Sequence, residues 1–196
     1  MNIAFFTASR ADYGKIKPVI LEAKKQKIKF KIFVTGMHLL KEYGNTKNHI
    51  IKDFGKKNLI IFKNQNFGDS HKLIFKKTVN RFTVALEKKN FDCVFIHGDR
   101  IETLAAASVL TFSKIRIAHV EGGELSGTVD EMIRHSVTKL SHLHFVTNSA
   151  AKKVLIKSGE DEKNIFITGS PDVDLFDKNL RPTIEEVKKR YKANFI

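Results

Sequence analysis

The chain has 196 residues, with 35 Lys and Arg against 21 Asp and Glu, and therefore a formal net charge of +14. Apolar residues make up 42% of it, which is ordinary for a globular protein and excludes a disordered chain. A single cysteine, Cys93, excludes a disulfide framework and fits a reducing compartment. No apolar run approaches the ~18–20 residues of a membrane span, and the run at 3–6 lacks the length and basic flank of a signal peptide. We therefore expect a soluble, cytoplasmic protein.

The positive charge does not by itself indicate a nucleic-acid-binding protein. The lysines are scattered singly or in pairs, and no RNA-binding signature or recognition-helix pattern accompanies them. Solvated lysine faces account for such a surplus, which also suits an anionic small substrate. We expect no nucleic-acid partner and no membrane association.

Short apolar runs alternate with helical patterns along the chain. The first run, 2–7, is typical of a buried strand, and 13–25 follows with apolar side chains at helical spacing. The other predicted strands are 30–34, 58–62, 92–96, 115–119, 143–146 and 165–167, and the other predicted helices are 71–89, 101–112, 130–140 and 150–157. Strands that are apolar throughout and alternate with helices predict a parallel sheet covered on both faces, a doubly wound α/β domain.

The last residues predict a change in this architecture. A charged helix is predicted over 183–192, and 193–196 is typical of the opening of another strand. We interpret 1–180 as one α/β domain, and 181–196 as a linker helix with the start of a second domain that the chain does not include.

Polar residues collect where the predicted strands end. Ligands of open α/β sheets bind outside the carboxyl ends of the strands, so these residues are candidates for a site. Arg10 and Lys15 follow the first strand, beside a helix start whose free N–H groups attract anions, and they suit a phosphate. The alternatives are a salt bridge from Arg10 to Asp12 and a surface position for Lys15. The chain contains neither GxxxxGK[ST] nor GxGxxG, so a P-loop or dinucleotide site has no support.

Two acids follow the fourth and fifth predicted strands. Asp99, in HGDRIET, could cap the next helix together with Glu102, a function that does not exclude one in chemistry. Glu121 leaves its strand directly into Gly122 and Gly123, where no helix needs a cap. A functional interpretation of Glu121 is therefore stronger than a structural one.

A pair of acids opens the next helix. Thr128 and Glu131 fit a capping box, which gives Glu131 a structural function. Asp130 is not used by that box and stands four residues before Arg134, so it either pairs with this arginine or acts in catalysis. Of the two acids, Asp130 is the better candidate for catalysis.

Histidines are frequent in the same stretch. His142 and His144 form an HxH pair, but no third ligand stands at a spacing typical of zinc sites. We therefore predict no metal site and interpret these histidines as positioning groups.

Four segments of the chain resemble a known family, the hydrolysing UDP-N-acetylglucosamine 2-epimerases of sialic and legionaminic acid biosynthesis. The resemblance is to the N-terminal half of these proteins. The matching segments stand in order over most of the chain: TASRADYGKIKPVI (7–20), HGDRIETLAAA (97–107), HVEGGELSGTVDEMIRHSVTKLSHLHFVTN (119–148) and TGSPDVD (168–174). The resemblance implies a GT-B architecture of two Rossmann-like domains with the nucleotide sugar between them. This chain would be the first domain.

The resemblance also implies functions for individual residues. Three carboxylates would be catalytic: Asp99, Glu121 and Asp130. Six residues would bind substrate or maintain the site, the first two through the nucleotide diphosphate: Arg10, Lys15, His97, His119, His142 and His144. The reaction would release free N-acetylmannosamine, or an analogue, and UDP. It would need no cofactor, and the full-length protein would be a homo-oligomer.

Two other interpretations stay open. A GT-B glycosyltransferase shares the fold and the nucleotide-sugar donor but releases a glycoside, and the density of carboxylates around Glu121 disfavours it. Alternatively, the chain is a folded domain that is inactive without a second half. In the family that half reads the nucleotide base, so the resemblance leaves UDP-N-acetylglucosamine and UDP- or GDP-linked diacetamido analogues open as substrates.

Overall fold

A computed structural model describes residues 1–175 and 182–191 of the chain. Its seven strands form one parallel sheet in the order β3-β2-β1-β4-β5-β6-β7. The strands are β1 (Asn2–Thr7), β2 (Lys29–Val34), β3 (Leu59–Ile61), β4 (Cys93–His97), β5 (Arg116–Val120), β6 (Leu143–Val146) and β7 (Ile165–Ile167). The strand order reverses between β1 and β4, and in such sheets ligands bind at the carboxyl ends of the strands beside this point.

Helices connect the strands. They are α1 (Arg10–Lys25), α2 (Lys47–Phe54), α3 (His71–Leu86), α4 (Ile101–Thr111), α5 (Val129–Lys139), α6 (Ser149–Lys157) and α7 (Ile184–Tyr191). Short 3-10 helices at Gly36–Leu39, Lys41–Tyr43, Lys56–Asn58, Glu162–Asn164 and Pro171–Leu175 complete the connections. The predicted doubly wound α/β fold is confirmed.

The core lies on both faces of the sheet. Neighbouring side chains of a strand point to opposite faces of the sheet. Phe5 and Phe6 of β1 are an example. Phe5 packs with Ile16 and Ile20 of α1, whereas Phe6 packs with Phe82 of α3. Each face buries enough apolar surface to hold its layer of helices, so the strands stay in register and their carboxyl ends are fixed in position.

The structure differs from the predicted elements in three places. Helix α1 begins at Arg10, three residues before the predicted start, because Ser9 and Asp12 form a capping box there. Helix α2 was not predicted, since only Ile50 and Phe54 of its eight residues are buried. Helix α3 ends at Leu86 rather than at residue 89.

The C-terminal predictions are tested only in part. The predicted helix over 183–192 is present as Ile184–Tyr191. The proposed domain boundary at residue 180 and the predicted strand at 193–196 lie outside the described residues. In the part of the chain that the structure describes, no helix combines the length and apolarity needed to cross a membrane.

Candidate active site

Three of the predicted residues meet at the carboxyl edge of the sheet. Glu121 follows β5, His97 ends β4, and Lys15 lies in the second turn of α1. The Glu121 carboxylate accepts hydrogen bonds through Oε1 from Lys15 Nζ at 3.2 Å and contacts His97 Nε2 through Oε2 at 3.0 Å. All three side chains are at least two-thirds buried. The structure thus places an acid, a cation and an imidazole within direct contact.

Two further residues of this cluster, Ser170 and Asp172, were missed by the sequence analysis. The Ser170 hydroxyl contacts Glu121 and accepts a hydrogen bond from Lys15 Nζ at 2.8 Å. Asp172 Oδ2 lies 3.1 Å from Lys15 Nζ, and its Oδ1 lies 2.6 Å from Ser170 Oγ. Because a hydroxyl carries one proton, Ser170 donates to one of the two carboxylates at a time. The only signal in the sequence was their place in TGSPDVD, directly after the last strand.

Glu121 is held ionised by its neighbours. Burial raises its pKa, but hydrogen bonds from His97 and Ser170 and the charges of His97 and Lys15 outweigh burial and bring the pKa to about 2. Its backbone φ is +61°, a left-handed conformation that is uncommon outside glycine. Such strain concentrates at functional sites, where it sets the direction of a side chain. The left-handed backbone and the contacts with Lys15, His97 and Ser170 together fix the direction of the Glu121 carboxylate.

Asp99 does not cap α4, so this alternative was wrong. The N-cap of α4 is Arg100, without a side-chain hydrogen bond, and Glu102 binds Arg100 instead. The Asp99 carboxylate contacts Arg134 Nη2 of α5, and Arg134 Nη1 donates to the carbonyl of Glu124 at 2.5 Å. Arg134 was not predicted as a site residue, and it fixes the Asp99 loop to the loop after β5.

The two acids at the start of α5 behave differently. Glu131 has a structural function, as predicted, but its partners are not those of a capping box with Thr128. Its carboxylate accepts hydrogen bonds from the backbone N–H groups of Ser126 and Gly127 at 2.5 and 2.7 Å. Thr128 makes no side-chain cap. Asp130 is exposed, and the arginine four residues later is bound to Asp99 instead. Asp130 lies in the first turn of α5 and is not part of the cluster around Glu121.

Arg10 points away from Lys15. Five positions along a helix correspond to a rotation of about 140°, so the two side chains occupy different faces of α1. Arg10 lines a cavity with Tyr13 and Lys17, between α1 and α2. It makes no salt bridge with Asp12, whose buried carboxylate accepts from the backbone of residues 8 and 9. The structure thus places Arg10 and Lys15 on different faces of α1, and their contact with a diphosphate stays a prediction.

His119 is fully buried, a position that favours the second of its two expected functions, that of maintaining the site. Its Nε2 donates to the carbonyl of Gly98 at 2.9 Å, and its Nδ1 lies 3.1 Å from the Thr138 hydroxyl. A Cβ at Gly122 would come within 2.9 Å of Nδ1, so glycine is required there for the chain to cross the ring. His119 therefore supports the loops that carry Asp99 and Glu121.

His142 and His144 lie near the amino ends of β5 and β6, on the opposite edge of the sheet. His142 Nδ1 accepts from the backbone N–H of Ile117, and His144 Nε2 lies 3.2 Å from Glu160 Oε2. These contacts lie on the side of the sheet away from Glu121. The placement of the two histidines therefore favours a structural function over direct contact with substrate. Among the residues that the structure describes, no cluster of three or more His, Cys, Asp or Glu side chains is arranged to hold a metal ion.

Two buried histidines predict a steep loss of stability in acid. Burial lowers the pKa of His119 to about 3 and that of His38 to about 4. In the unfolded chain both titrate near ~6.5, so below that pH the unfolded state binds two protons that the folded state rejects. These two groups make the free energy of unfolding fall as the pH drops below about 6.5, by at most roughly 2.7 kcal/mol per pH unit.

Urea unfolding at a series of pH values measures this slope. The variant His119→Gln, which does not titrate, should lose about half of it. An identical slope in that variant would show that His119 does not carry the effect.

The chain is similar in sequence to known proteins. Residues 21–196 match the family described as UDP-N-acetylglucosamine 2-epimerase. The UDP-N-acetylglucosamine 2-epimerase of Neisseria meningitidis serogroup B is 40% identical over 191 residues, covering 97% of this chain and 50% of that protein. The UDP-N,N'-diacetylbacillosamine 2-epimerase (hydrolyzing) of Legionella pneumophila is 40% identical over 194 residues, covering 97% and 51%.

Solved structures show the same fold. The UDP-GlcNAc 2-epimerase of Methanocaldococcus jannaschii superposes on this chain with a TM-score of 0.80 at 25% identity, over 100% of this chain and 54% of that one. The chain thus spans about half the length of the curated relatives it matches. The predicted Rossmann-like domain of a GT-B architecture is confirmed. From its sequence match and its fold, the chain belongs to the UDP-N-acetylglucosamine 2-epimerase family.

Proposed function

We propose that this chain supplies the acid–base residues of a hydrolysing 2-epimerase. The substrate is a nucleotide sugar of the UDP-N-acetylglucosamine type, and the products are UDP and free N-acetylmannosamine or its analogue. One observation carries the proposal: the Glu121 carboxylate lies 3.2 Å from Lys15 Nζ and 3.0 Å from His97 Nε2 at the carboxyl edge of the sheet. A carboxylate beside a cation combines a proton acceptor with a charge that stabilises a departing diphosphate.

The chemistry requires both functions together. No ketone lies next to C2 of the sugar, so its proton leaves only as the C1–O bond to the diphosphate breaks. The electrons of the C2–H bond form a C1–C2 double bond, and those of the C1–O bond go to the nucleotide. Water then adds at C1, and a proton returns to C2 on the opposite face. The sum is one nucleotide sugar plus water giving one free sugar and one nucleotide.

Lys15 couples the two functions. In the free protein Lys15 lies between Glu121 and Asp172 and helps to hold the pKa of Glu121 low. A diphosphate that binds Lys15 draws this cation away from Glu121, so the pKa of Glu121 rises as substrate binds and its strength as a base increases. We propose that Asp99, fixed by Arg134, and the exposed Asp130 serve the other proton transfers.

The second half of the site comes from a second domain. The chain spans about half of its relatives, and we propose that residues 1–180 form the N-terminal domain against which that second domain closes. The hydrolysing outcome rests on similarity to the hydrolyzing Legionella relative. We place the reaction in nonulosonic acid biosynthesis on the resemblance of segments 7–20 and 119–148.

Product analysis tests this proposal. A fusion of this chain with the second half of the Legionella relative is incubated with UDP-N-acetylglucosamine, and in parallel with UDP-N,N'-diacetylbacillosamine, without any acceptor. We expect UDP and a free 2-epimerised sugar in equal amounts from at least one of the two. A 2-epimer still attached to UDP contradicts the hydrolysing reaction, and turnover that requires a sugar acceptor indicates a glycosyltransferase.

A further inference from the structure

All three N–H donors of the Lys15 ammonium group have an oxygen partner in this structure. A lysine side chain carries three such donors and no acceptor. The oxygen atoms around Nζ are Glu121 Oε1 at 3.2 Å, Ser170 Oγ at 2.8 Å and Asp172 Oδ2 at 3.1 Å. Two of the three belong to carboxylates. An anion that binds Lys15 therefore has to replace one of these contacts.

Of the two carboxylates, that of Asp172 is held less firmly. Its side chain is 32% exposed, against 14% for Glu121. Glu121 follows directly on β5 and also contacts His97 Nε2 at 3.0 Å. Asp172 lies in the 3-10 helix Pro171–Leu175, none of whose five residues is buried. The contact that an incoming anion replaces is therefore the one with Asp172.

The Asp172 side chain is ionised at neutral pH. A hydrogen bond from Ser170, with the oxygen atoms 2.6 Å apart, and the contact with Lys15 lower the pKa of Asp172 below its ordinary value. A phosphate group that reaches Lys15 comes close to this carboxylate, and two like charges at short distance repel each other. Asp172 therefore opposes the binding of the same anion that Lys15 attracts.

We infer that Asp172 competes with the substrate diphosphate for Lys15 and returns to Lys15 when the nucleotide product leaves. In the free protein its carboxylate occupies the position on Lys15 that the diphosphate takes in the complex. Once the C1–O bond has broken, the nucleotide still contacts Lys15, and the return of Asp172 favours its release. The inference rests on the proposed function, in which Lys15 contacts the diphosphate and UDP is a product.

Asp172 is thus a positioning residue, since it acts on the reaction through Lys15. The sign of one effect separates this role from two others. The variant Asp172→Asn keeps the size of the side chain but removes its charge, so it should bind a diphosphate more tightly than the parent chain. A carboxylate that contacts the substrate, or one that only stabilises its loop, predicts weaker or unchanged binding in the same variant.

An NMR titration of the 196-residue chain with inorganic pyrophosphate tests the competition without turnover. Lys15 lies on α1 and Val173 lies beside Asp172 in the 3-10 helix, so their signals report on the two elements that separate. We expect pyrophosphate to shift the amide signal of Lys15 and the methyl signals of Val173. Asp172→Asn should bind pyrophosphate roughly two- to fivefold more tightly than the parent chain, as the loss of one partly exposed ion pair predicts.

The matched control is Asp174→Asn. It makes the same change of charge in the same 3-10 helix, on an exposed aspartate two residues away. Its affinity for pyrophosphate should stay near that of the parent chain, because the competition requires contact with Lys15. Lys15→Met should bind pyrophosphate at least roughly tenfold more weakly, since hydrogen bonds to a charged group are lost. That loss identifies Lys15 as the cation that pyrophosphate binds.

Calorimetric binding of UDP to the fusion protein tests the step of product release. Asp172→Asn should bind UDP more tightly by a similar factor, and Asp174→Asn should not.

Three results would overturn the inference: no shift at Lys15, equal or weaker binding of pyrophosphate or UDP by Asp172→Asn, or an equal gain in Asp174→Asn. None of them depends on turnover. A fusion protein that shows this competition but releases no epimerised sugar contradicts the proposed reaction and leaves the competition for Lys15 in place.

Discussion

Replacing Glu121 with glutamine should lower the turnover of the two-domain fusion protein by roughly 10²–10⁴-fold, the range typical of a lost general base. Glutamine has nearly the same shape and still accepts a hydrogen bond at Oε1. The glutamine side chain is uncharged, so it does not attract the Lys15 ammonium group, and its amide cannot accept a proton from C2. Because the neighbours of Glu121 stabilise its charge, the thermal midpoint should fall as well, so turnover is compared at a temperature where both proteins are folded. The measurement is the initial rate of UDP release from UDP-N-acetylglucosamine, with the thermal midpoint recorded in parallel.

The matched control is Glu131→Gln in the same stretch. The Glu131 carboxylate binds two backbone N–H groups of the loop before α5, at 2.5 and 2.7 Å, so its loss affects that loop rather than the reaction. Turnover should stay within a factor of a few of the parent protein. A loss below tenfold in Glu121→Gln, or equal losses in both variants, would remove Glu121 from the reaction.

Asp12→Ala should cost the domain about 3–5 kcal/mol of unfolding free energy, because it leaves several buried donors unsatisfied. Asp12 is 4% exposed and accepts hydrogen bonds from the backbone N–H groups of Ala8 and Ser9 and from the Thr7 hydroxyl. Thr7 in turn lies 2.9 Å from His38 Nε2. This buried network fixes the end of β1 and the start of α1, the helix that carries Lys15. Urea unfolding of the 196-residue chain measures the loss.

Two further variants serve as comparisons for Asp12→Ala. Asp12→Asn keeps one acceptor oxygen and should lose less than Asp12→Ala. Glu42→Ala changes an exposed carboxylate and should leave stability nearly unchanged. A loss below about 1 kcal/mol in Asp12→Ala would mean that other groups hold the β1–α1 turn.

Most of the fold could be predicted from hydrophobic runs. Each predicted strand lies within one residue of the observed one at either end, because a strand buried on both faces is a continuous apolar run with polar ends. Helix α2 was missed because it covers only the edge of the sheet and buries two side chains, which leaves too weak a periodic signal. Capping also shifted a boundary, since the bond between Ser9 and Asp12 adds a turn to α1 that apolar periodicity does not show.

The candidate site was predictable only where strand ends determine it. Glu121, His97 and Lys15 follow adjacent strands or begin the helix after one, so their meeting follows from the topology. Ser170 and Asp172 come from the loop after the last strand, and their contact with Lys15 depends on how that loop folds back over α1. The spacing of four residues suggested Asp130 as the partner of Arg134. The arginine instead reaches Asp99, 35 residues away in the chain, which short-range helical rules do not consider.

Deuterium incorporation tests the central claim most directly, namely that a carboxylate at this edge of the sheet removes and returns a proton at C2. The fusion protein is incubated with UDP-N-acetylglucosamine in D₂O, and the released sugar is examined by NMR and mass spectrometry. We expect N-acetylmannosamine with one deuterium at C2, and in Glu121→Gln a release of this labelled sugar that falls together with turnover. Released N-acetylmannosamine that retains its original hydrogen at C2 would contradict the account.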